Sequence, residues 1–356
     1  MSLSIDRRTL LFGAGALGLG AVLAGCAGGA GPAESDGGDA GGAGDAGDAG
    51  DAGARTVAHK FGSTEISGTP GRVVTVGLTD ADYAIALGTV PVGVRDWFGE
   101  QPGALWPWAR EQAGGTVPEV LPVEALNLEQ IVALAPDLVL GPSAGLTAED
   151  YEQLSAIAPT VAQPAEFADY GAPWQKIMEV TGQALGQPER AAQLTAGAEQ
   201  RFTAIRAEHP EFAGRTALLA SVLEDGSYYL YAEGPAPRFL VDLGFTLPPA
   251  AEAIFTGPER APQTLSREQV SLLEADVLLV GLYGDQATDR FATDPVVAGL
   301  RVAREGRAVL MPELSTLNGT LSFGSVLSLP KALDEAVPRI VAALDGDPAT
   351  PVPAAT

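Results

Sequence analysis

Two stretches of the chain, "NLEQI" at 127–131 and "SREQV" at 266–270, set the same residue types at the same spacing. Each opens on a helix-capping residue, Asn127 or Ser266, and carries Gln130 or Gln269 three places on, the pattern of a capping box. Each puts a glutamate, Glu129 or Glu268, at the second helical position, where a carboxylate faces the positive end of the helix dipole and gains about 0.3–1 kcal/mol. An Asp and a strand-like run follow in both copies, as "APDLVL" and "EADVLL". Helix capping by itself explains one such unit; a matched pair of outward carboxylates on two similar halves is the other reading.

Aromatic side chains concentrate elsewhere. Segment 95–110, "RDWFGEQPGALWPWAR", holds Trp97, Phe98, Trp106 and Trp108, three of the chain's four tryptophans. Such rings either wall a site for a bulky apolar ligand or staple a long loop to its lobe. "GPSAG" at 141–145 fits GxSxG, which would make Ser143 a nucleophile. That chemistry needs a sharp strand-to-helix turn at the serine, then an acid and a histidine further on. Only His209 lies downstream, at the end of a predicted helix, and the helix after Ser143 is expected from Thr147, so a lipid-anchored α/β-hydrolase is the weaker reading. His59 and His209 are the only histidines and Cys26 the only cysteine, too few for a bare zinc or manganese site or for an internal disulfide.

The formal charge of -24 and the three lysines argue against a nucleic-acid partner, which needs clustered positive charge. The amino terminus has the form of an export signal over residues 1–25: Arg7 and Arg8, an apolar run from Thr9 to Val22, then Leu23-Ala24-Gly25-Cys26. "GAGALG" (13–18) fits GxGxxG inside this signal, with no strand before it, and carries no dinucleotide site. Cys26 stands where a bacterial lipobox places the cysteine that receives a diacylglyceryl group and becomes the mature amino terminus. Residues 26–54 repeat Gly, Ala and Asp with almost no large side chains and are expected to form a flexible acidic tether. The Pro-rich residues 346–356 are likewise expected to be disordered.

The elements that must position these residues begin at Arg55. An edge hairpin over "TVAHKFGSTEI" precedes buried strands at 72–77 and 91–94, which alternate with short helices through "PTVA". Strands alternating with helices imply a mostly parallel sheet covered on both faces, an α/β lobe over residues 55–170. A helical stripe through Trp174, Ile177, Met178 and Leu185 predicts a connecting helix within 171–187. A second α/β lobe follows over 188–345, with strands at 215–223, 227–234, 276–284 and 307–313 and a closing helix over 325–344.

The segments "RVVTVG…DADYAIALGTVPVGV", "LNLEQIVALAPDLVLG", "YEQLSAIAPTV", "LSREQVSLLEADVLLV" and "LSLPKALDE" resemble, as an ordered set over residues 55–345, the substrate-binding proteins of ABC importers for iron-siderophores, haem and cobalamin. The resemblance implies two Rossmann-like lobes joined by a rigid helix, the class III periplasmic binding protein architecture, with ligand held between the lobes and no catalysis or cofactor of the protein's own. It further implies that Glu129 and Glu268 dock on arginines of a permease dimer served by an ATPase. Two similar permease subunits present two similar basic sites, which accounts for the repeated unit.

Ligands of open α/β sheets gather beyond the carboxyl ends of the strands. The loops expected there supply the candidate ligand contacts Arg95, Trp97, Trp106, Trp108, Arg238, Tyr283 and Asn318, aromatic walls with one or two guanidinium groups for chelating oxygens. So acidic a protein favours a neutral or cationic ferric hydroxamate over a multiply negative tricatecholate; cobalamin and haem remain as alternatives. The expected protein is a monomeric receptor, lipid-anchored on the extracytoplasmic face of the cell membrane, whose iron arrives within the siderophore.

Overall fold

The computed structural model describes residues 53–257 and 260–355. Cys26, the export signal and nearly all of the acidic tether lie outside these residues. The chain opens with strands β1 (Arg55–His59) and β2 (Gly62–Ile66), paired antiparallel as the alternation predicts. The first sheet comprises β3 (Val73–Thr75), β4 (Gly93–Arg95), β5 (Glu119–Leu121), β6 (Leu138–Leu140) and β7 (Thr160–Val161), all parallel in the order β5-β4-β3-β6-β7. Between them lie helices α1 (Asp80–Ala86), α2 (Pro107–Gln112), α3 (Leu128–Ala133) and α4 (Ala148–Ser155). The central runs "VVT" and "LVL" are buried throughout, as strands covered on both faces must be.

Two helices follow, α5 (Trp174–Ala184) and α6 (Pro188–Glu208). Residues 171–187 were expected to join the lobes, but α5 packs on α1 and β1, and the Arg55 guanidinium caps it by donating to the carbonyls of Gln183 and Ala184. The helix that spans is α6. At its start it packs on α5; at its end Phe202 meets Phe239 edge-on with centroids 5.6 Å apart, and Arg201 pairs with Asp334 at 2.7 Å. Its 21 residues measure roughly 31 Å at 1.5 Å per residue, enough to brace both lobes.

The second sheet repeats the first in strand order, with β8 (Ala217–Val222), β9 (Tyr228–Tyr231), β10 (Gln263–Leu265), β11 (Val277–Leu282) and β12 (Ala308–Pro312) arranged β10-β9-β8-β11-β12. Here β9 runs antiparallel to β8 and β10 antiparallel to β9. Its helices are α7 (Pro235–Asp242), α8 (Pro249–Glu252), α9 (Ala287–Thr293), α10 (Pro295–Gly299), α11 (Arg301–Arg304), α12 (Thr316–Phe323) and the closing α13 (Ser328–Leu344). One apolar cluster runs through both lobes, from Val57 and Met178 to Phe239 and Leu333.

The carboxyl-terminal tail is a correction to the expected disorder. Val352 and Ala355 pack against the shared core, and Arg339 of α13 donates to the carbonyls of Pro353 at 3.1 Å and Ala354 at 2.6 Å. Proline-rich chain runs extended with few N–H groups to satisfy, so one buried guanidinium suffices to hold its carbonyls.

Candidate functional site

Counting strands within each lobe, both sheets follow the order 3-2-1-4-5, and the switch point falls between β3 and β6 in one and β8 and β11 in the other. In the first lobe the loops after β3 and β6 are sewn together there by Asp80. Its carboxylate accepts the backbone N–H of Gly77 at 2.9 Å and of Ser143 at 2.8 Å, while the Ser143 hydroxyl accepts the N–H of Thr79 at 3.0 Å. Only glycine fits at 77, because a Cβ there would lie 2.1 Å from an Asp80 oxygen. Burial pushes the Asp80 carboxyl up to about 7, against the opposing pull of its hydrogen bonds.

These loops present Leu78, Thr79 and Ser143 to a cavity of about 450 Å3. The opposite wall is the face of the second sheet, not only its edge. Register sets Gly281 of β11 beside Ser221 of β8 and Met311 of β12, so all three look into the cavity, with Tyr231 of β9 beside them. The size lies within the 300–1,000 Å3 range of small-molecule sites.

Of the candidate contacts read from sequence, Trp97, Arg238, Tyr283 and Asn318 line this cavity. Trp97 leans on Phe98 and Phe323 with centroids 5.0 and 5.4 Å away. Tyr283 and Asn318 lie together, with the Tyr283 hydroxyl 3.5 Å from Asn318 Oδ1 and Asn318 Nδ2 donating to the Glu313 carbonyl at 2.9 Å.

Arg95, Trp106 and Trp108 do not reach the cavity. Arg95 Nη1 and Nη2 donate to the carbonyls of Val76 and Val123, at 3.3 and 2.6 Å, and tie strand ends together, while Nε is buried without a partner. Trp106 is 3% exposed and stacks on Trp108 at 5.2 Å, and α12 lies against its ring: a Cβ at Gly319 would come within 2.5 Å. Trp108 Nε1 donates to Asp82 at 2.8 Å, and Asp82 also accepts the Ser325 hydroxyl from the second lobe. These two tryptophans therefore form a joint between the lobes behind the wall that Trp97 makes.

Among the contributors not singled out in the sequence are Tyr231, Glu233 and Arg260. The alternation in "YYLY" could have flagged Tyr231, since Tyr229 and Tyr231 share the less buried face of β9. Arg260 had no local signal; tertiary pairing holds it, bidentate on Glu252 at 2.5 and 2.8 Å and 3.2 Å from Glu233. Glu233 in turn stands 3.6 Å from Arg238.

Glu129 and Glu268 are both exposed, and neither has an ion-pair partner among the described residues. Each follows an edge strand, β5 or β10, which occupies the same place in its sheet. The caps differ in detail. Gln130 turns away to Glu119 and the Val120 carbonyl while Asn127 caps its backbone, and the second unit is a 3-10 turn, Arg267–Leu273, in which Gln269 accepts from the Ser266 N–H at 3.0 Å. The Glu268 backbone N–H and the Ser266 hydroxyl hold the Glu268 carboxyl below its ordinary range. As for GxSxG, α4 starts five residues after Ser143, and His209 pairs with Glu211 at 2.9 Å, not with that serine.

A family model described as periplasmic binding protein matches residues 73–314. The chain is 26% identical over 257 residues to the Fe(3+)-citrate-binding protein YfmC of Bacillus subtilis, covering 71% of this chain and 77% of that protein. A periplasmic solute binding protein from Mycobacterium smegmatis is 36% identical and superposes with a TM-score of 0.74 over 82% of this chain and 99% of its own. Staphylococcus aureus SirA, solved with staphyloferrin B, is 25% identical with a TM-score of 0.65, covering 78% of this chain and 96% of that one. Two lobes of one strand order, braced by α6 around a cavity at their switch points, together with these matches, make the chain a member of the periplasmic binding protein family with the class III architecture.

Proposed function

We propose that this protein is the extracytoplasmic receptor of an ABC importer: it captures a ferric siderophore between its lobes and hands it to a permease. Glu129 and Glu268 are its docking carboxylates, and a diacylglyceryl group on Cys26 is its membrane anchor. The preferred ligand is a hydroxamate chelate without net negative charge. The iron travels as cargo within the ligand, so the protein itself contributes only shape, contact area and field.

The observation that carries this reading is the cavity and its charge balance. Trp97, Tyr231 and Tyr283 supply aromatic surface at small entropic cost. Its charged lining residues are already paired: Arg238 and Arg260 with Glu233, Arg260 with Glu252, and Asp169 with Lys60 at 2.7 Å. Three cations facing three carboxylates leave no surplus field to neutralise an anionic chelate. Fe(3+)-citrate and staphyloferrin B in the names of its relatives support the ferric-chelate class as a whole.

Native mass spectrometry of the purified protein against ferric hydroxamates, a ferric tricatecholate, cobalamin and haem tests the proposal. The expected result is a one-to-one complex with a ferric hydroxamate and weaker or no retention of the rest. Retention of cobalamin or haem with no ferric siderophore bound would overturn it.

A further inference from the structure

We propose that Glu233 is a charge gate: its carboxylate occupies the two cavity guanidinium groups that would receive an anionic ligand, and so confines the site to chelates without net negative charge. This rests on the reading of the cavity as a ferric-chelate site and adds the residue that sets which chelates enter it.

Glu233 leaves the end of β9 just before Gly234, whose φ of 113° turns the chain into α7. Its side chain is 46% exposed, at the cavity rim, with one carboxylate oxygen 3.6 Å from Arg238 Nη2 and the other 3.2 Å from Arg260 Nε. Neither contact is a directed hydrogen bond: the first is too long, and the Arg260 Nε–H is not aimed at the oxygen. Glu233 therefore cancels charge without the geometric lock of a bidentate pair. Glu252 makes that lock on the outer fork of Arg260, at 2.5 and 2.8 Å, and fixes the guanidinium in place.

A ligand carboxylate or catecholate approaching Arg238 and Arg260 meets Glu233 at the same groups. It must displace that side chain or lie beside a like charge. A neutral hydroxamate oxygen can accept from the guanidinium edges with Glu233 still in place. The remaining lining carboxylate, Asp169, is neutralised by Lys60, accepts a hydrogen bond from Gln163 Nε2 and leaves the balance unchanged. Removing the charge at 233 alone leaves the cavity with one surplus positive charge, held at a site already shaped to receive oxygen ligands.

The test is a tryptophan-fluorescence titration of the purified protein and its Glu233→Gln variant with the neutral cyclic ferrioxamine E, ferric citrate and a ferric tricatecholate, at low and high salt. Glu252→Gln serves as a second variant, because it disturbs Arg260 from outside the cavity. The expected result is that E233Q raises the ratio of anionic-chelate affinity to ferrioxamine affinity at least tenfold over wild type, with a gain that salt erodes. E252Q is expected to shift the anion-to-neutral ratio less than E233Q does, because Glu252 meets Arg260 from outside the cavity. An unaltered anion-to-neutral ratio in E233Q overturns the gate, as does wild-type protein that prefers the anionic chelates. If wild type binds none of the three probes, the ferric-chelate reading itself fails, and the gate falls with it.

Discussion

Asp82→Asn removes a carboxyl whose ionisation is costly in the folded protein, and its effect on stability can be worked out. Asp82 is 1% exposed on α1 and links the lobes by accepting from Trp108 Nε1 and the Ser325 hydroxyl. Burial outweighs both bonds and lifts the carboxyl from 3.8 to about 6. Because the folded value lies above the unfolded one, the folded chain holds this proton more tightly. The stability tied to it is full below pH 3.8 and is lost as the pH rises through about 6. At ~1.36 kcal/mol for each pH unit between the two values, the loss comes to about 3 kcal/mol. Asparagine keeps an oxygen for Trp108, keeps polar contact with Ser325 and never ionises. Urea melts of wild type and D82N from pH 4 to pH 7.5 should therefore show the stability of wild type falling relative to the variant by about 2 kcal/mol of that total, since part is already lost at pH 4, at equal m-values. Asp80, raised to about 7 in both proteins, cancels in the difference. Wild-type and variant stabilities that run parallel across this range would refute the reasoning.

Three further outcomes are expected. A Glu129→Ala/Glu268→Ala double variant should bind ligand normally yet lose cellular uptake, since both carboxylates are exposed and unused within the described fold; undiminished uptake at normal expression would remove their docking role. Gly319→Val should overpack the face of α12 against Trp106, where even a Cβ meets the ring at 2.5 Å, and lower stability by about 1–3 kcal/mol in thermal melts. Arg339→Ala should release the tail from residue 348 onward, read as new cleavage there in limited proteolysis while the wild-type tail stays protected.

Much of the fold was legible because it is written locally. The apolar runs at β3, β6 and β11 name buried strands, and the repeated 127–140 and 266–279 units turn out to be the same crossover, from edge strand to the strand beyond the switch point, in each lobe. The short β10 and the choice of α6 over α5 as the brace were not legible. The partly exposed "QTL" of β10 lacks the buried apolar run that marks β3 and β6, and both helices have apolar stripes; only contacts distinguish the one that reaches α13.

The candidate site divided along the same line. Residue types alone marked the tryptophan-rich loop and the two glutamates, because aromatic crowding and caps are local properties. Depth is not a local property. Trp97 lines the cavity while Trp106, nine residues on, is sealed behind it by α12, and Arg95 spends its Nη donors on carbonyls of its own lobe. Arg260 enters the site because Glu252 and Glu233 hold it there across the fold. Sequence determined which chemistry was at hand and in which two halves; packing decided which groups face the ligand, since burial and pairing depend on neighbours brought together only by folding.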